Sequence, residues 1–282
     1  MQLWLKVLVF VVIWLILVSL LTFYMPIRPA KMITNLLPSD FGLKYEEVAF
    51  KSADGIKLSG WFIPHNKTKS AIIVMHGYPV EKGDLLGIAI FLSKDFNVFL
   101  FDFRYFGKSE GSYTTAGYLE TNDLLGAIEY LQKEKNITKI GLYGFSLGGA
   151  VALSANHQNV KAIVTDSTYS KLSSMIERSY RIFFIFKYPL TYLTKFYGKL
   201  FLGINIDEAS PVDSIKNAKV PILLIHAEKD SEIPLKEAYL LKEANPKAEL
   251  WIIKDADHGK SYARDVDKYE KRITEFFKNN IK

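Results

Sequence analysis

Ser146 lies between two glycines in the run Gly144-Phe145-Ser146-Leu147-Gly148, directly after the apolar stretch Ile140-Gly141-Leu142-Tyr143. A serine so placed at the end of a strand-like run is the pattern of a nucleophile elbow. There the chain reverses from strand into helix so sharply that the serine takes a strained backbone conformation. A side chain at either flanking glycine would collide with neighbouring backbone. The residues that follow, Gly149-Ala150-Val151-Ala152-Leu153, are small and apolar, as a helix packed closely on a buried sheet requires. A plain tight turn could show the same five residues, but not this strand before them and this helix after them.

A serine hydroxyl needs an adjacent base, and the base needs an acid to orient it. The chain has five histidines, and three, His157, His226 and His258, follow Ser146. His226 sits inside Pro221-Ile222-Leu223-Leu224-Ile225-His226-Ala227, which reads as a buried parallel strand, so it is expected to be a packed structural residue. His157 falls near the end of the helix after Ser146, where a cationic side chain suits the carbonyl-rich end. His258 follows the strand-like Glu249-Leu250-Trp251-Ile252-Ile253 and the turn-like Lys254-Asp255-Ala256-Asp257, and precedes Gly259. A loop histidine beyond a strand end can swing over the sheet edge, and His258 is the expected base.

The acid should leave the end of the preceding strand, where Ala227-Glu228-Lys229-Asp230 runs into Ser231-Glu232-Ile233-Pro234. Asp230 is the first choice and Glu228 the second. Asp255 and Asp257 lie too close to His258 in sequence, and Glu228 and Asp257 read as solvated loop charges. A tetrahedral intermediate also needs donors aimed at its oxyanion. One is the N–H of Leu147, at a helix N-terminus. The other is the N–H of Tyr78, in the loop His76-Gly77-Tyr78-Pro79 after the strand Ala71-Ile72-Ile73-Val74-Met75. His76 reads as a brace for that loop rather than as a base.

Taken in order, four stretches resemble the α/β-hydrolase superfamily, within its serine-aminopeptidase-like and acylglycerol-lipase-like branch. They are His76-Gly77-Tyr78, the loop Phe101 to Gly111, the Ser146 elbow, and Asp230 followed by His258. The second is similar to the family's D-x-R-G-x-G-x-S-x-G loop, with Tyr105 where a glycine is usual, a departure that bears on the local turn. The resemblance covers roughly residues 45–280. It implies a triad of Ser146, Asp230 and His258, and neither a metal nor an organic cofactor. A serine rather than an aspartate at the elbow disfavours haloalkane dehalogenase or epoxide hydrolase chemistry.

The elements that must position these groups follow from the pattern of apolar runs. With 282 residues, 49% of them hydrophobic and 23% charged, the chain can bury one full α/β core. Asn97-Val98-Phe99-Leu100-Phe101 and Lys161-Ala162-Ile163-Val164-Thr165 are of strand length. Between them Leu119 to Gln132 shows helical spacing behind a Thr114/Thr115 cap. This alternation predicts a mostly parallel central sheet with helices on both faces and a site beyond the strand C-termini; the resemblance implies that this is an α/β-hydrolase fold. The segment of about residues 169–215 is an insertion, and the resemblance implies that it forms a small helical cap. Its aromatic-rich middle, Tyr180 to Tyr192, is broken by Pro189. Two readings stand: core packed on core, or a lid whose aromatic face lines an acyl pocket or touches lipid.

Residues Val7 to Met25 are apolar apart from Ser19 and Thr22, long enough for a bilayer core that needs about 20 residues. No small-residue cleavage pattern follows, and the chain has no cysteine to carry a lipoprotein anchor. The expected organisation is a transmembrane anchor over residues 1–27, a linker over 28–44 and a hydrolase domain over 45–282. Lys6 and the terminal amine nearly balance Arg28 and Lys31, and a short N-terminal tail kept in the cytosol places the domain outside the cytoplasm. The net charge of +6 comes from scattered lysines, with no aromatic-basic interleaving. This argues against a nucleic-acid partner and fits a basic surface beside an anionic membrane.

The expected function is serine hydrolysis of a carboxylic ester through an acyl-enzyme, with lipids and lysolipids among the substrates. The partners are then a small-molecule or lipid ester and, through the N-terminal helix, the membrane. Peptide or amide cleavage by the same triad is the second reading, and a non-catalytic membrane-tethered binding module the third.

Overall fold

The computed structural model describes residues 2–65, 68–155 and 157–281. It opens with α1 (Gln2–Ile27), 26 residues and therefore about 39 Å long. This helix is long and apolar enough to cross a bilayer core of about 30 Å. The body then runs β1 (Glu46–Lys51), β2 (Lys57–Ile63), β3 (Ser70–Met75), α2 (Leu86–Leu92), β4 (Asn97–Phe101), α3 (Glu120–Lys135), β5 (Lys139–Phe145), α4 (Leu147–Ser154) and β6 (Val160–Asp166). The cap follows as α5 (Leu172–Ser179), a 3-10 segment Tyr180–Phe186, and α6 (Lys187–Leu202). The chain returns through α7 (Pro211–Ile215), β7 (Ile222–Ala227), α8 (Lys236–Ala244), β8 (Glu249–Ile253), α9 (Ser261–Arg264) and α10 (Val266–Asn280).

The strands form one sheet in the order β1-β2-β4-β3-β5-β6-β7-β8. β2 runs antiparallel to both of its neighbours, and the pairs from β4 to β8 are parallel. Side chains alternate across it as the two-residue period demands. In β3, Ala71, Ile73 and Met75 pack towards α3 and α4, whereas Ile72 and Val74 pack towards α2 and α10. Helices cover both faces, so the inner strands are continuously apolar rather than alternating with polar residues.

Three local expectations need correction. The helix expected from Leu119 begins at Glu120, and its N-cap, Leu119, provides no side-chain cap. Thr114 and Thr115 instead hold the buried Glu120 carboxylate, which accepts from both hydroxyls at 2.6 Å and from the N–H groups of Thr115 and Gly117 at 2.8 and 2.9 Å. Pro189 does not break the cap. It lies in the first turn of α6, where a missing N–H costs no intrahelical bond. The break is at Phe184, with φ 50° and ψ −120°. The middle of the cap is core only in part, because Tyr180 and Leu190 are buried whereas Ile182, Phe184 and Ile185 are 69%, 84% and 74% exposed.

The loop after β4 ties the linker to the body. Asp102 accepts from Lys82 Nζ at 2.6 Å, both side chains buried, and Arg104 forks onto Asp54 and Asp123. Tyr105 takes the left-handed conformation usual for glycine, φ 73°, and its hydroxyl donates to Pro29 O at 2.7 Å. The side chain that departs from the family pattern thus anchors the stretch following α1.

Candidate active site

Ser146 occupies the junction between β5 and α4 with φ 52° and ψ −112°, a strained conformation for a residue with a side chain. The flanking glycines are required sterically. A Cβ on Gly144 would overlap the Gly148 carbonyl, and one on Gly148 would overlap the Met75 carbonyl. The Ser146 N–H donates to Asp166 O at 2.8 Å, fixing the elbow to the end of β6. Neither the Leu147 nor the Tyr78 N–H donates a hydrogen bond among the described residues. Gly77 brings the Tyr78 loop against the elbow, since a Cβ there would stand 3.2 Å from Ser146 Cβ.

His76 shapes that loop and is fully buried. Its Nε2 accepts from the Phe103 N–H at 3.0 Å, so Nδ1 carries the proton and donates to Gly77 O at 2.6 Å. Burial pushes this imidazole below its ordinary value and keeps it neutral, as the assignment requires. In a trans peptide the C=O and N–H point in opposite directions. Binding Gly77 O therefore aims the Tyr78 N–H away from His76 and fixes its direction.

Asp230 and His258 meet. His258 Nδ1 donates to Asp230 Oδ2 at 2.8 Å, while Asp230 Oδ1 accepts from the N–H groups of Glu232 and Ile233 at 3.0 and 2.7 Å. Burial opposes ionisation of Asp230, but the His258 and Ile233 hydrogen bonds outweigh it and hold the carboxyl below its ordinary value. Burial likewise opposes the His258 imidazolium. The Asp230 hydrogen bond and charge, with help from Glu232, nonetheless raise His258 above the usual histidine value. The imidazole lies against Phe145, with ring centroids 5.0 Å apart, next door to Ser146. No hydrogen bond joins its Nε2 to Ser146 Oγ. Nε2 instead faces Glu232 Oε2 at 3.6 Å. Bonds of this kind are often open in the absence of substrate.

The remaining sequence expectations sort clearly. His226 is buried in β7, its Nε2 against Ile233 O at 2.9 Å, and is structural. His157 lies just past α4, where it accepts from the Asn159 N–H. Glu228 is exposed and accepts from the Asp255 N–H. Asp257 does more than a solvated charge would. Its Oδ1 accepts from the N–H groups of Ser231 and His258 at 2.8 and 2.7 Å, clamping the Asp230 loop to the His258 loop.

Two further groups escaped the sequence reading. One is Glu232, which by composition is one more surface acid. The other is the buried Asp166 carboxylate at the end of β6, which accepts from Ser261 Oγ at 3.0 Å and from the Tyr269 hydroxyl at 2.8 Å and so ties β6 to the last helices. Among the described residues, no cluster of His, Asp or Glu is arranged to hold a metal ion.

Comparison with known proteins bears on the fold that carries this site. A family model described as the alpha/beta hydrolase fold matches residues 70–201. The Bacillus subtilis protein YqkD is 30% identical over 248 residues, covering 83% of this chain and 80% of YqkD. The chain belongs to the α/β-hydrolase family. Another relative, protein bem46 of Schizosaccharomyces pombe, is 28% identical over 215 residues, covering 72% of this chain and 67% of bem46. Among solved structures, the Pyrococcus furiosus esterase Pf2001 superposes with a TM-score of 0.75 at 28% identity, over 91% of this chain and 100% of that one.

The Glu232 contact makes a pH prediction for this α/β hydrolase. A base must be neutral to accept a proton, so kcat/KM should rise as pH climbs through the His258 pKa. The Glu232 carboxylate favours the charged imidazole and raises that pKa. Glu232→Gln is therefore expected to move the acidic limb to lower pH in a kcat/KM profile for p-nitrophenyl acetate. An unmoved limb, or one shifted to higher pH, contradicts the assignment.

Proposed function

We propose that this α/β hydrolase is a membrane-anchored serine esterase acting through an acyl-enzyme. Ser146 Oγ attacks the ester carbonyl and passes its proton to His258 Nε2, once substrate binding has turned the two towards each other. Asp230 stabilises the imidazolium and keeps Nδ1–H directed at itself. The Tyr78 and Leu147 N–H groups hold the oxyanion. As the tetrahedral species collapses, His258 returns the proton to the departing alcohol. Water, deprotonated by the same histidine, then frees the acid. α1 crosses the bilayer once and keeps the site at its surface.

The observation that carries this reading is the strained Ser146 between two unengaged N–H donors, beside the paired Asp230 and His258. The apolar anchor and the exposed aromatic cap favour esters of lipophilic acids over polar peptides. A panel of p-nitrophenyl esters and aminoacyl p-nitroanilides tests it on the full chain. The expected result is ester turnover exceeding anilide turnover by about a hundredfold or more, the scale of a single well-placed catalytic interaction. Anilide cleavage without ester cleavage would make the protein a peptidase, and no turnover with folded protein would leave a binding module.

A further inference from the structure

An apolar cavity lies between α1 and the cap, next to the candidate site. Its volume is about 290 Å³. Phe23, Pro26 and Ile27 of α1 line one side, and Met175 and Ile176 of α5 line the other. Tyr78 and Ala116 close the end facing the elbow. Ala116 precedes Gly117, whose position abuts Leu147, so the cavity ends beside both residues assigned to the oxyanion. The Glu120 carboxylate, with its four hydrogen bonds to residues 114–117, keeps that end rigid.

The cap does not merely touch the top of the anchor. The Tyr180 hydroxyl donates to Thr22 Oγ1 at 2.9 Å, and the Tyr197 and Ser19 hydroxyls lie 3.0 Å apart. Phe23 stands edge-on to Tyr197, with centroids 5.6 Å apart. Deeper still, Trp14 meets Phe186 and Phe183 edge-on at 5.5 and 6.2 Å. Trp14 lies 13 residues before Ile27, about 20 Å along the helix. A helix about 39 Å long leaves only about 9 Å outside a hydrocarbon core of about 30 Å. Where α1 spans the bilayer as proposed above, the Trp14 contact falls about 10 Å or more below the lipid boundary, which puts the exposed Ile182, Phe184 and Ile185 of the same segment among acyl chains.

We propose that the anchor is itself a wall of the substrate site. The acyl chain of a bilayer-resident ester enters from the leaflet between α1 and the cap and occupies this cavity, with its carbonyl at Tyr78 and Leu147. This rests on the esterase reading for the identity of the reacting group. It adds that chain-length selection is made by residues of the transmembrane helix, so that helix is a specificity element as well as a tether.

The test uses the full chain in phosphatidylcholine vesicles with p-nitrophenyl acetate and p-nitrophenyl dodecanoate. Ile27→Trp and Met175→Trp fill the cavity from opposite walls, and Leu8→Trp changes the same helix outside it. Both filling variants should lower the dodecanoate-to-acetate ratio of kcat/KM by about tenfold or more, the scale of losing one or more methylene contacts. Leu8→Trp should leave the ratio as in the wild type. Equal ratios in all four proteins would overturn the proposal. Fluorophosphonate labelling of each variant shows that the site is intact.

A diazirine-bearing dodecanoic acid gives a readout independent of turnover. It should crosslink to the α5 peptide 172–179 in Ser146→Ala protein, and crosslinking should fall when Ile27→Trp is added. An unlabelled α5 peptide, or labelling unchanged by Ile27→Trp, would also overturn the proposal. Loss of all ester turnover with the crosslink retained would sink the esterase reading and leave the acyl site standing.

Discussion

Ser146→Ala is expected to lower kcat for the best p-nitrophenyl ester by about a millionfold, with the thermal midpoint essentially unchanged. The size follows from the way a triad acts as a unit, since removing the nucleophile costs about as much as removing all three members. What survives is stabilisation of a water attack by the oxyanion donors, about a thousandfold over solution. The fold should tolerate the change. Ser146 Oγ makes no hydrogen bond to His258, and the elbow is held by the Ser146 N–H on Asp166 O and by the flanking glycines. Steady-state kinetics beside a thermal melt decides this. Activity within a hundredfold of wild type would mean that another group attacks the ester.

Asp230→Asn is expected to cost about ten-thousandfold in kcat while keeping the fold. An asparagine oxygen can still accept from the Ile233 and Glu232 N–H groups, so the loop after β7 retains its shape. The second carboxylate oxygen, which now receives Nδ1–H of His258, would become an amide NH₂. That group donates, so the imidazole is driven to the tautomer with its proton on Nε2, which cannot accept from serine. The His258 pKa should fall as well, because the Asp230 charge and hydrogen bond hold it up. Histidine NMR titration together with kcat checks both parts. A loss below about tenfold, or an unmoved His258 titration, would assign the acid elsewhere, with Glu232 the nearest alternative.

The parts legible in the sequence were those whose physics is local. The elbow is set by two glycines and a serine between a strand and a small-residue helix, and steric exclusion at Gly144 and Gly148 follows directly. Asp230 and His258 could be placed because both leave strand ends, and the parallel order of β6, β7 and β8 puts those ends on one rim. What escaped depends on contacts between distant segments. Nothing near Asp257 shows that its carboxylate reaches Ser231, and nothing near Thr114 shows that it serves Glu120 rather than a helix N-terminus. Pro189 misled because a proline in the first helical turn and a proline that breaks a helix look alike until the helix start is known. The aromatic stripe of the cap was equally ambiguous. Periodicity does not say whether an apolar face meets protein or stays uncovered, and here Phe186 packs on Trp14 of α1 while Ile182, Phe184 and Ile185 stay exposed.

The most direct measurement is peptide mapping after a fluorophosphonate probe has reacted with the full-length protein. A phosphonyl adduct confined to Ser146, and lost in both Ser146→Ala and heat-unfolded protein, is the predicted result. An adduct on another residue, or undiminished labelling of Ser146→Ala, would contradict Ser146 as the nucleophile.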